Sequence, residues 1–451
     1  MISKVADLFT TSSFQHPFWK HKGFACHLLK LATMSGMSAI YNKHNKLKEL
    51  DSKTLLEKIL KTPFYRKYYK NQISRGKDLD FYSLPTVTPK HLRNNSPANF
   101  IPQGIKPKIK YKITTSGTTG KPKEIWLSED DLNVIAETAR YFWDQDSFIN
   151  AEDKLLVVEV PGHATSIFNK AIEKNFKIIG RFTPDEIEKI IDYSGKFSCL
   201  QIGAQLLLKL YEICRQKKKN PKSLGIKKIS FIGSAVSSKI RNLAEKIFRA
   251  DTRITYGNTE MCGFIACECK MKNGYHLLPN EYGIWEILNQ KGEPTDEGEF
   301  VMTLLKREGT QLIRYRTGDR VRIIKEPCGC GTFTTPRIEV LGRVDDMVVV
   351  GYMDLFWDKS MDEAIRLLDI IDYKIEIKRT QDGKDVLDFI FQTQKQVNRE
   401  NLLKILKRAN PELFEQIRSK IIELELHSQK TPLFPNKLKV KRIIDRRDKI
   451  C

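Results

Sequence analysis

The sequence predicts an α/β protein with a large N-terminal domain and a small α+β C-terminal domain. Between residues 155 and 256, short apolar runs of strand length alternate with helical periodicity, which is typical of parallel-rich sheets covered by helices. Strands are expected at Leu155–Val160, Lys177–Ile179, Ser198–Ile202, Lys228–Ile232 and Thr252–Tyr256, and helices at Asp185–Asp192, Gln205–Arg215 and Lys239–Phe248.

The flanking regions complete this prediction. The first 107 residues are mixed helical, with an amphipathic segment at Leu47–Leu60, and closely spaced strands between Tyr282 and Ile324 indicate a β-rich subdomain. A break near Gly342–Asp346 divides the chain into domains 1–343 and 344–451. In the second domain we expect strands at Val348–Val350, Tyr373–Ile377 and Val386–Phe391, and helices at Met361–Leu368, Arg399–Lys407 and Pro411–Glu423.

Composition excludes several classes of protein. The 451 residues are 41% hydrophobic and 10% aromatic, which favours a globular chain over a disordered one. No apolar run approaches the ~18 residues of a membrane span, and Lys20 and Lys22 interrupt any signal-peptide core, so we expect a cytoplasmic protein with no membrane partner. Its nine cysteines are then thiols or metal ligands rather than disulfides. The net charge of +22 is spread along the chain without a nucleic-acid motif, so we interpret it as a solvated surface.

The segment Tyr111–Lys123 has the composition of a phosphate-binding loop. Small hydroxyl residues and glycines allow backbone N–H groups and hydroxyls to surround phosphate oxygens, with lysines adding charge. The glycine spacing does not fit the G-x-x-x-x-G-K-[ST] pattern, and Pro122 prevents a helix from following directly. The segment therefore predicts a hairpin that closes over a triphosphate, with the candidate ligands Thr115, Ser116, Gly117, Thr118, Thr119, Gly120, Lys121 and Lys123.

Four further motifs follow in order: Thr255-Tyr-Gly-Asn-Thr-Glu260, Tyr315-Arg-Thr-Gly-Asp319, Leu341-Gly-Arg-Val-Asp-Asp-Met347 and Asn436-Lys-Leu-Lys-Val-Lys-Arg442. With them the chain resembles the acyl-adenylate-forming enzymes, over most of its length from Thr114 onward. The resemblance implies that ATP and Mg²⁺ activate a small carboxylic acid as its acyl-adenylate, with release of pyrophosphate. It also implies a C-terminal domain that moves as a lid between two half-reactions.

The resemblance assigns a role to each motif. Glu260 matches a magnesium-associated glutamate, and Thr259 a hydroxyl that contacts phosphate. Tyr256, followed by Gly257, would stack on adenine, while Asp319 would accept the ribose hydroxyls and Arg343 would contact the ribose. Gly233, Ser234 and Ala235 resemble the segment along the adenine and the acyl pocket, although a plain turn fits them almost equally well. Asp345 and Asp346 lie at the hinge, and the adenylating lysine is Lys439, with Lys437 and Lys441 as competitors.

Within this superfamily, the pattern around the cysteines is similar to that of the phenylacetate–CoA ligase-like subgroup. Cys269, His276, Cys328 and Cys330 would give three thiolates and one imidazole, a closed set of ligands for structural Zn²⁺. Cys267 is an alternative to Cys269, and buried thiols without a metal are the alternative to the whole site.

The acyl acceptor stays open at this point. Coenzyme A is the acceptor that the resemblance implies, but the segment Gly351–Asp358 lacks the subgroup's usual asparagine and proline, so a carrier-protein thiol or an amine is an alternative. His163 could face the substrate carboxylate, although a hydrogen-bonded loop histidine is preferred. An inactive zinc-containing scaffold that binds nucleic acid is a third hypothesis, against which the intact Glu260, Asp319 and Arg343 argue. We expect a monomer or a homodimer.

Overall fold

The computed structural model describes residues 50–73, 81–114, 122–160, 163–233, 236, 238–344, 347–350, 353–356, 359–380, 383–434, 440 and 442–447. Some predicted site residues lie outside these ranges: Thr115 to Lys121 of the phosphate loop, Ser234, Ala235, Asp345, Asp346, Lys437, Lys439 and Lys441. The contacts separate Met1–Ser52 from Lys53–Cys451, and every element below except the start of the first helix belongs to the second unit.

Four short helices and a hairpin begin the described chain. The helices are α1 (Leu50–Lys61), α2 (Pro63–Tyr68), α3 (Lys70–Ile73) and α4 (Pro89–Asn94), and α1 confirms the amphipathic segment predicted there. Prolines begin α2 and α4, because the first helical position needs no N–H donor and suits the fixed φ of proline. Strands β1 (Ile109–Thr114) and β2 (Glu124–Ser128) pair antiparallel with Thr114 opposite Glu124, so the two ends of the predicted phosphate loop are adjacent.

Five parallel strands form one end of the large sheet. They are β3 (Lys154–Val158), β4 (Lys177–Phe182), β5 (Cys199–Ile202), β6 (Lys228–Phe231) and β7 (Asp251–Tyr256), in the order β7-β6-β5-β3-β4. Between them and before them lie α5 (Glu129–Gln145), α6 (Ala164–Ile172), α7 (Ala204–Gln216) and α8 (Ser238–Asn242). The predicted alternation of strands and helices is confirmed, and the carboxyl ends of these strands share one edge of the sheet.

The two faces of the parallel strands differ. Leu200 and Phe231 face a core that includes Leu207 of α7, so the alternate residues on β5 and β6 face the other side. On that other side, Gln201 of β5 is hydrogen-bonded to Asn169 of α6. The functional pocket described below lies on this second side.

Two of the predicted helices have a different geometry. The segment expected to be helical at Asp185–Asp192 is a 3₁₀ helix at Ile187–Tyr193. In the segment Lys239–Phe248, α8 is followed by a π-helical turn at Leu243–Ile247, where Phe248 N donates to Leu243 O over 3.2 Å. Apolar periodicity predicts which side of a segment is buried, and it does not distinguish these tighter or wider turns from an α-helix.

Six antiparallel strands extend the same sheet. They are β8 (Ala266–Cys267), β9 (Tyr275–Leu277), β10 (Gly283–Leu288), β11 (Glu297–Leu304), β12 (Tyr315–Ile324) and β13 (Arg337–Arg343), in the order β8-β9-β13-β12-β11-β10. Because β8 pairs antiparallel with β7, the β-rich region and the parallel strands form one continuous sheet. This mixed sheet has eleven strands within the described residues.

The C-terminal part confirms the predicted α+β character. A hairpin of β14 (Met347–Val350) and β15 (Met353–Phe356) precedes α9 (Lys359–Ile365), β16 (Asp372–Arg379), β17 (Asp385–Gln392), α10 (Arg399–Ala409), α11 (Pro411–Arg418), β18 (Ile422–Gln429) and β19 (Ile443–Asp445). The sheet order is β18-β17-β16-β19, and Phe389, Leu402 and Leu413 share its core.

Two helix ends in this part were predicted wrongly. The helix expected at Met361–Leu368 is α9, which already ends at Ile365. The helix expected at Pro411–Glu423 ends at Arg418, because Lys420 has a φ of +58° that a helix does not accommodate, and the strand β18 follows at Ile422. The domain boundary between residues 343 and 344 stays a prediction. No helix in the described ranges is long and apolar enough to cross a lipid bilayer.

Candidate active site

Three of the predicted nucleotide-binding residues meet beside the carboxyl end of β7. The Tyr256 hydroxyl donates to Oδ2 of Asp319 over 2.7 Å, and Nη1 of Arg343 donates to Oδ1 over 2.7 Å. Asp319 on β12 is directly opposite Arg343 on β13 in the register of the sheet. We call Tyr256, Asp319 and Arg343 the Asp319 cluster. Both carboxylate oxygens of Asp319 have a donor in it.

Two glycines of the motifs are required by this packing. A Cβ on Gly318 would lie 2.5 Å from Nη2 of Arg343, and the φ of Gly318 is +76°. A Cβ on Gly257 would lie 2.4 Å from the carbonyl oxygen of Gly263. Only glycine allows both approaches, so these positions let the Asp319 cluster and the loop after β7 pack closely.

The Tyr256 side chain is held at both ends. Its ring meets the Phe300 ring edge to face at 5.9 Å, and its hydroxyl is the donor to Asp319 described above. Burial, with the Asp319 carboxylate beside it, raises the pKa of Tyr256 well above the ordinary value. The hydroxyl therefore stays protonated and acts as a hydrogen-bond donor at neutral pH.

A second group of side chains surrounds Glu260. Nζ of Lys123 and the hydroxyl of Tyr315, the latter at 2.7 Å, both contact Oε1 of Glu260, which is 5% exposed. We call these three residues the Glu260 cluster. Burial raises the pKa of Glu260, but the charge of Lys123 and the hydrogen bonds more than offset this, so the pKa lies below its ordinary value. Glu260 is therefore a carboxylate at neutral pH.

The loop that carries Glu260 is fixed by its own hydrogen bonds and by one arginine. Asn258 accepts through Oδ1 from Met261 N over 2.8 Å, and Cys262 has a φ of +60° and donates through Sγ to the Thr259 carbonyl. Arg307, which is buried, donates through Nη2 to the Met261 carbonyl. These contacts give the Glu260 carboxylate a defined position before any ligand binds.

A pocket with mostly apolar walls lies next to this loop. Phe168 and Phe264 stack with their ring centroids 4.7 Å apart, and Ile232 and Thr259 line the same pocket. Gly233, predicted to lie along the acyl pocket, is among its lining residues and has a φ of +87°, as a turn after β6 requires. The walls are therefore suited to the apolar part of a small ligand.

His163 also lines the pocket and has a structural role. It precedes α6 as its N-cap, and Nδ1 accepts from Thr165 N over 3.5 Å. The preferred interpretation, a hydrogen-bonded loop histidine, is therefore confirmed by a contact to the helix, while its position leaves it facing the pocket.

The four predicted metal ligands lie together beside the hairpin β8–β9, which carries Cys269 in its turn and His276 on its second strand. Their ligand atoms are all within 4.8 Å of one another, with Sγ of Cys269 at 3.6 Å from Sγ of Cys328 and Sγ of Cys330 at 3.7 Å from Nε2 of His276. Cys267 points elsewhere: its thiol is 3.6 Å from Oγ1 of Thr255. The geometry therefore favours Cys269 over Cys267.

The surroundings of this cluster fit a metal site. Nδ1 of His276 is 3.0 Å from the Thr335 carbonyl oxygen, so the proton of the neutral ring belongs on Nδ1. The lone pair of Nε2 is then available to bind a metal ion. Sγ of Cys330 accepts from the N–H groups of Thr332 and Phe333 over 3.4 and 3.5 Å. Three sulfur atoms and one imidazole nitrogen within 4.8 Å of one another match the ligands of a tetrahedral Zn²⁺ site.

Sequence reasoning missed several side chains that complete these clusters. Tyr315 begins the motif that ends in Asp319, but its contact with Glu260 joins residues 55 positions apart. Arg307 and Phe168 belong to no motif. Tyr315 could have been proposed because it lies on a strand next to the predicted nucleotide residues, whereas no local signal marks Arg307.

Comparisons with characterised sequences identify similar proteins. The phenylacetate-coenzyme A ligase of Thermus thermophilus is 24% identical over 281 residues, which are 59% of this chain and 62% of that protein. That of Escherichia coli is 23% identical over 329 residues, 66% of this chain and 70% of that protein. The chain thus spans less than two thirds of the first relative, and no family model matches it.

Solved structures share the fold. A 2-hydroxyisobutyryl-CoA ligase in the postadenylation state, in complex with R3-HIB-AMP, superposes with a TM-score of 0.71 at 19% identity, covering 88% of this chain and 90% of that one. The O-succinylbenzoate coenzyme A synthetase of Bacillus subtilis, in complex with ATP and magnesium, gives a TM-score of 0.53 at 16% identity, covering 73% and 68%.

The fold is therefore that of the acyl-adenylate-forming enzymes. The resemblance to this superfamily, predicted from the motifs, is confirmed, and so is the similarity to its phenylacetate–CoA ligase-like subgroup.

Proposed function

We propose that the protein is an AMP-forming carboxylate ligase, which activates a small carboxylic acid with ATP as its acyl-adenylate and then transfers the acyl group to coenzyme A. The observation that carries this proposal is the convergence of the Asp319 cluster, the Glu260 cluster and the apolar pocket beside one end of β7. The similarity to phenylacetate-coenzyme A ligases supports the same conclusion.

The Asp319 cluster is suited to a ribose. A carboxylate accepts hydrogen bonds through both oxygens, so the two ribose hydroxyls of a nucleotide could replace the donors that Tyr256 and Arg343 supply to Asp319. The Tyr256 ring would then lie against the adenine. These roles require no proton transfer and only orient the nucleotide, which matches a reaction that depends on positioning.

The Glu260 cluster is suited to the triphosphate and its metal ion. Mg²⁺ in such sites is held by one or two carboxylates together with phosphate oxygens, and it would neutralise charge on the departing pyrophosphate. Glu260 would supply the carboxylate. Lys123, which contacts Glu260 here, would then pair with a phosphate, and Thr259 would add a hydroxyl donor. The segment Thr115–Lys121 would surround the phosphates.

We expect Lys439→Ala to abolish adenylate formation while turnover of a presynthesised acyl-adenylate with coenzyme A continues. The lysine would bring a positive charge to the α-phosphate and the carboxylate of the acid, an effect that is needed in the first half-reaction alone. Pyrophosphate release and thioester formation, measured separately, test this. Lys437→Ala and Lys441→Ala are matched controls, and normal adenylation by the Lys439 variant would contradict the assignment.

The chain after these lysines is firmly anchored, which supports a role for the segment. Nη1 of Arg442 donates to Oδ1 of Asp372 over 2.6 Å and to the Tyr373 carbonyl over 2.8 Å, and Nε lies 3.0 Å from Asp362. The strand β19 then pairs with β16.

Coenzyme A is the proposed acceptor, and a carrier-protein thiol or an amine is the alternative. The ligase relatives favour coenzyme A, and one structural neighbour was determined with 2-HIB-AMP and CoA in the thioesterification state. Adding coenzyme A, a carrier protein or an amine to the adenylation assay distinguishes the acceptors, because only the true acceptor releases AMP together with an acylated product.

We further propose a structural Zn²⁺ at Cys269, His276, Cys328 and Cys330, which would join the hairpin β8–β9 to the connection between β12 and β13. All four ligands are protein atoms, so the ion would have no open position and no catalytic step. Cys330→Ser should lose the metal and at least about 2 kcal/mol of unfolding free energy. Elemental analysis and urea unfolding measure both. Cys267→Ser, the matched control, should keep one zinc per chain, and a zinc-free wild-type protein would contradict the site.

The direct test of the function is acid-dependent exchange of pyrophosphate into ATP, with a panel of aromatic and medium-chain carboxylic acids. Exchange with at least one acid is expected. No exchange with any acid, combined with strongly salt-dependent binding of non-specific DNA, would favour the inactive nucleic-acid-binding scaffold instead. A cytoplasmic location and a monomeric or homodimeric state stay predictions.

A further inference from the structure

A row of buried polar side chains lies on the same side of β5 and β6 as the apolar pocket. Asn169 on α6, Gln201 on β5 and Ser230 on β6 are each fully buried, with 0% exposure. Gln201 and Ser230 are directly paired in the register of the two parallel strands. Buried polar groups of this kind cost free energy unless each of them has a partner.

The hydrogen bonds of this row run in one direction. The Glu159 carboxylate, which also receives a bond from Arg181, accepts from Nδ2 of Asn169 over 2.8 Å. Asn169 must therefore present Oδ1 to its other neighbour, and Gln201 donates to it through Nε2 over 2.6 Å. Because a carboxylate only accepts, the orientation of both amides is fixed, and Oε1 of Gln201 is left facing away as an acceptor.

Two atoms at the end of the row have no partner among the described residues: Oε1 of Gln201 and Oγ of Ser230. The first needs a hydrogen-bond donor, and the second can donate or accept. A single hydroxyl group satisfies both, since it can donate to Gln201 while accepting from Ser230. An apolar group would leave both atoms unpaired.

This pair lies close to the pocket. Ser230 comes two residues before Ile232, which directly follows β6 and lines the pocket. Both are expected on the same side of the sheet, because the intervening Phe231 belongs to the core on the other side. Two residues of strand span roughly 6.6 Å. Asn169 directly follows Phe168, another lining residue. Ser230 is therefore one strand repeat away from a residue of the apolar walls.

We infer that the acid activated by this enzyme carries a hydroxyl group at the end remote from its carboxylate, recognised by Gln201 and Ser230. This inference rests on the proposed function. The substrate class is then a hydroxylated aryl or alkyl carboxylic acid, with its apolar middle against the stacked rings of Phe168 and Phe264 and its carboxylate near the loop of Thr259. Gln201 and Ser230 are specificity-determining residues and take no part in the adenylation chemistry.

The experiment compares acids that differ only in this hydroxyl: para-hydroxyphenylacetate with phenylacetate, para-hydroxybenzoate with benzoate, and hexanoate with its terminally hydroxylated form. The kcat/KM for acid-dependent pyrophosphate release should favour the hydroxylated member of at least one pair by more than about tenfold, because the acid without it leaves buried polar groups unpaired. In Ser230→Ala the preference should shrink to within about threefold.

Two further variants keep the result unambiguous. Ser230→Thr retains the hydroxyl and should restore most of the preference, which a merely structural role would not require. Ser223→Ala removes the hydroxyl of an exposed serine in the 3₁₀ helix Pro221–Leu224, which precedes β6, and should leave the preference unchanged. Equal kcat/KM within every pair for the wild type, as expected if a buried water occupies the position, overturns the inference while the proposed function stands. No pyrophosphate release with any acid overturns both.

Discussion

Glu260→Gln should lower kcat/KM for acid-dependent pyrophosphate release by at least about a hundredfold. The substitution keeps the size of the side chain and an oxygen for the Tyr315 hydroxyl, which lies 2.7 Å from Oε1, so the fold should be retained. It removes the charge that would bind Mg²⁺ and that balances Lys123 in a buried position. Higher Mg²⁺ concentrations should recover part of the lost rate, which a titration of the metal at saturating ATP measures.

Glu297→Gln is the matched control for this variant. Glu297 lies on β11 of the same sheet and pairs with Arg320, with both side chains about one-third exposed at 32% and 34%. Its neutralisation should change the rate by less than about twofold, because partly exposed ion pairs contribute little. Wild-type activity in Glu260→Gln would remove the residue from the proposed magnesium site.

Glu286→Ala should destabilise the protein by about 3–5 kcal/mol. Glu286 and Arg314 are 2% and 5% exposed, and the guanidinium donates to the carboxylate from Nη2 over 2.7 Å and from Nε over 3.1 Å. Arg314 also donates to the carbonyls of Tyr82 and Leu84, which joins the segment before α4 to the sheet. Removing the carboxylate leaves a buried guanidinium without its counter-charge. Urea unfolding measures the loss.

An exposed ion pair provides the contrast. Lys395 and Asp369 are 79% and 83% exposed, so Asp369→Ala should cost no more than about 0.5 kcal/mol. Replacing both buried partners, in the double variant Arg314→Met with Glu286→Leu, removes the unpaired charge but also the donors to the Tyr82 and Leu84 carbonyls, so it should recover only part of the stability lost in Glu286→Ala. A loss in Glu286→Ala as small as that in Asp369→Ala would contradict the interpretation of a dry, buried pair.

The sequence was most informative where the signal is local. Strands such as β5 and β6 are short apolar runs between helical segments, and their predicted positions agree with the structure to within one or two residues. The four candidate metal ligands came from the resemblance to the phenylacetate–CoA ligase-like subgroup, and the structure brings their ligand atoms within 4.8 Å of one another. Choosing Cys269 over Cys267 required the structure, since only there does the Cys267 thiol meet Thr255.

Contacts between distant segments could not be predicted. Lys123 and Glu260 are 137 residues apart, and nothing in either motif indicates that they form an ion pair. The same is true of Glu286 with Arg314. Local preference can also mislead. The helix expected to reach Glu423 is ended by the left-handed φ of Lys420, although lysine itself favours helices. Local preference was overridden there by the strand that follows.

The measurement that tests the central claim most directly is the binding of ATP with magnesium to the purified, metal-replete protein by titration calorimetry. The proposed nucleotide site predicts saturable binding of one nucleotide per chain with a Kd below about 1 mM, weakened in Asp319→Asn, which loses one acceptor for the ribose. No heat of binding at several times that concentration would contradict the account.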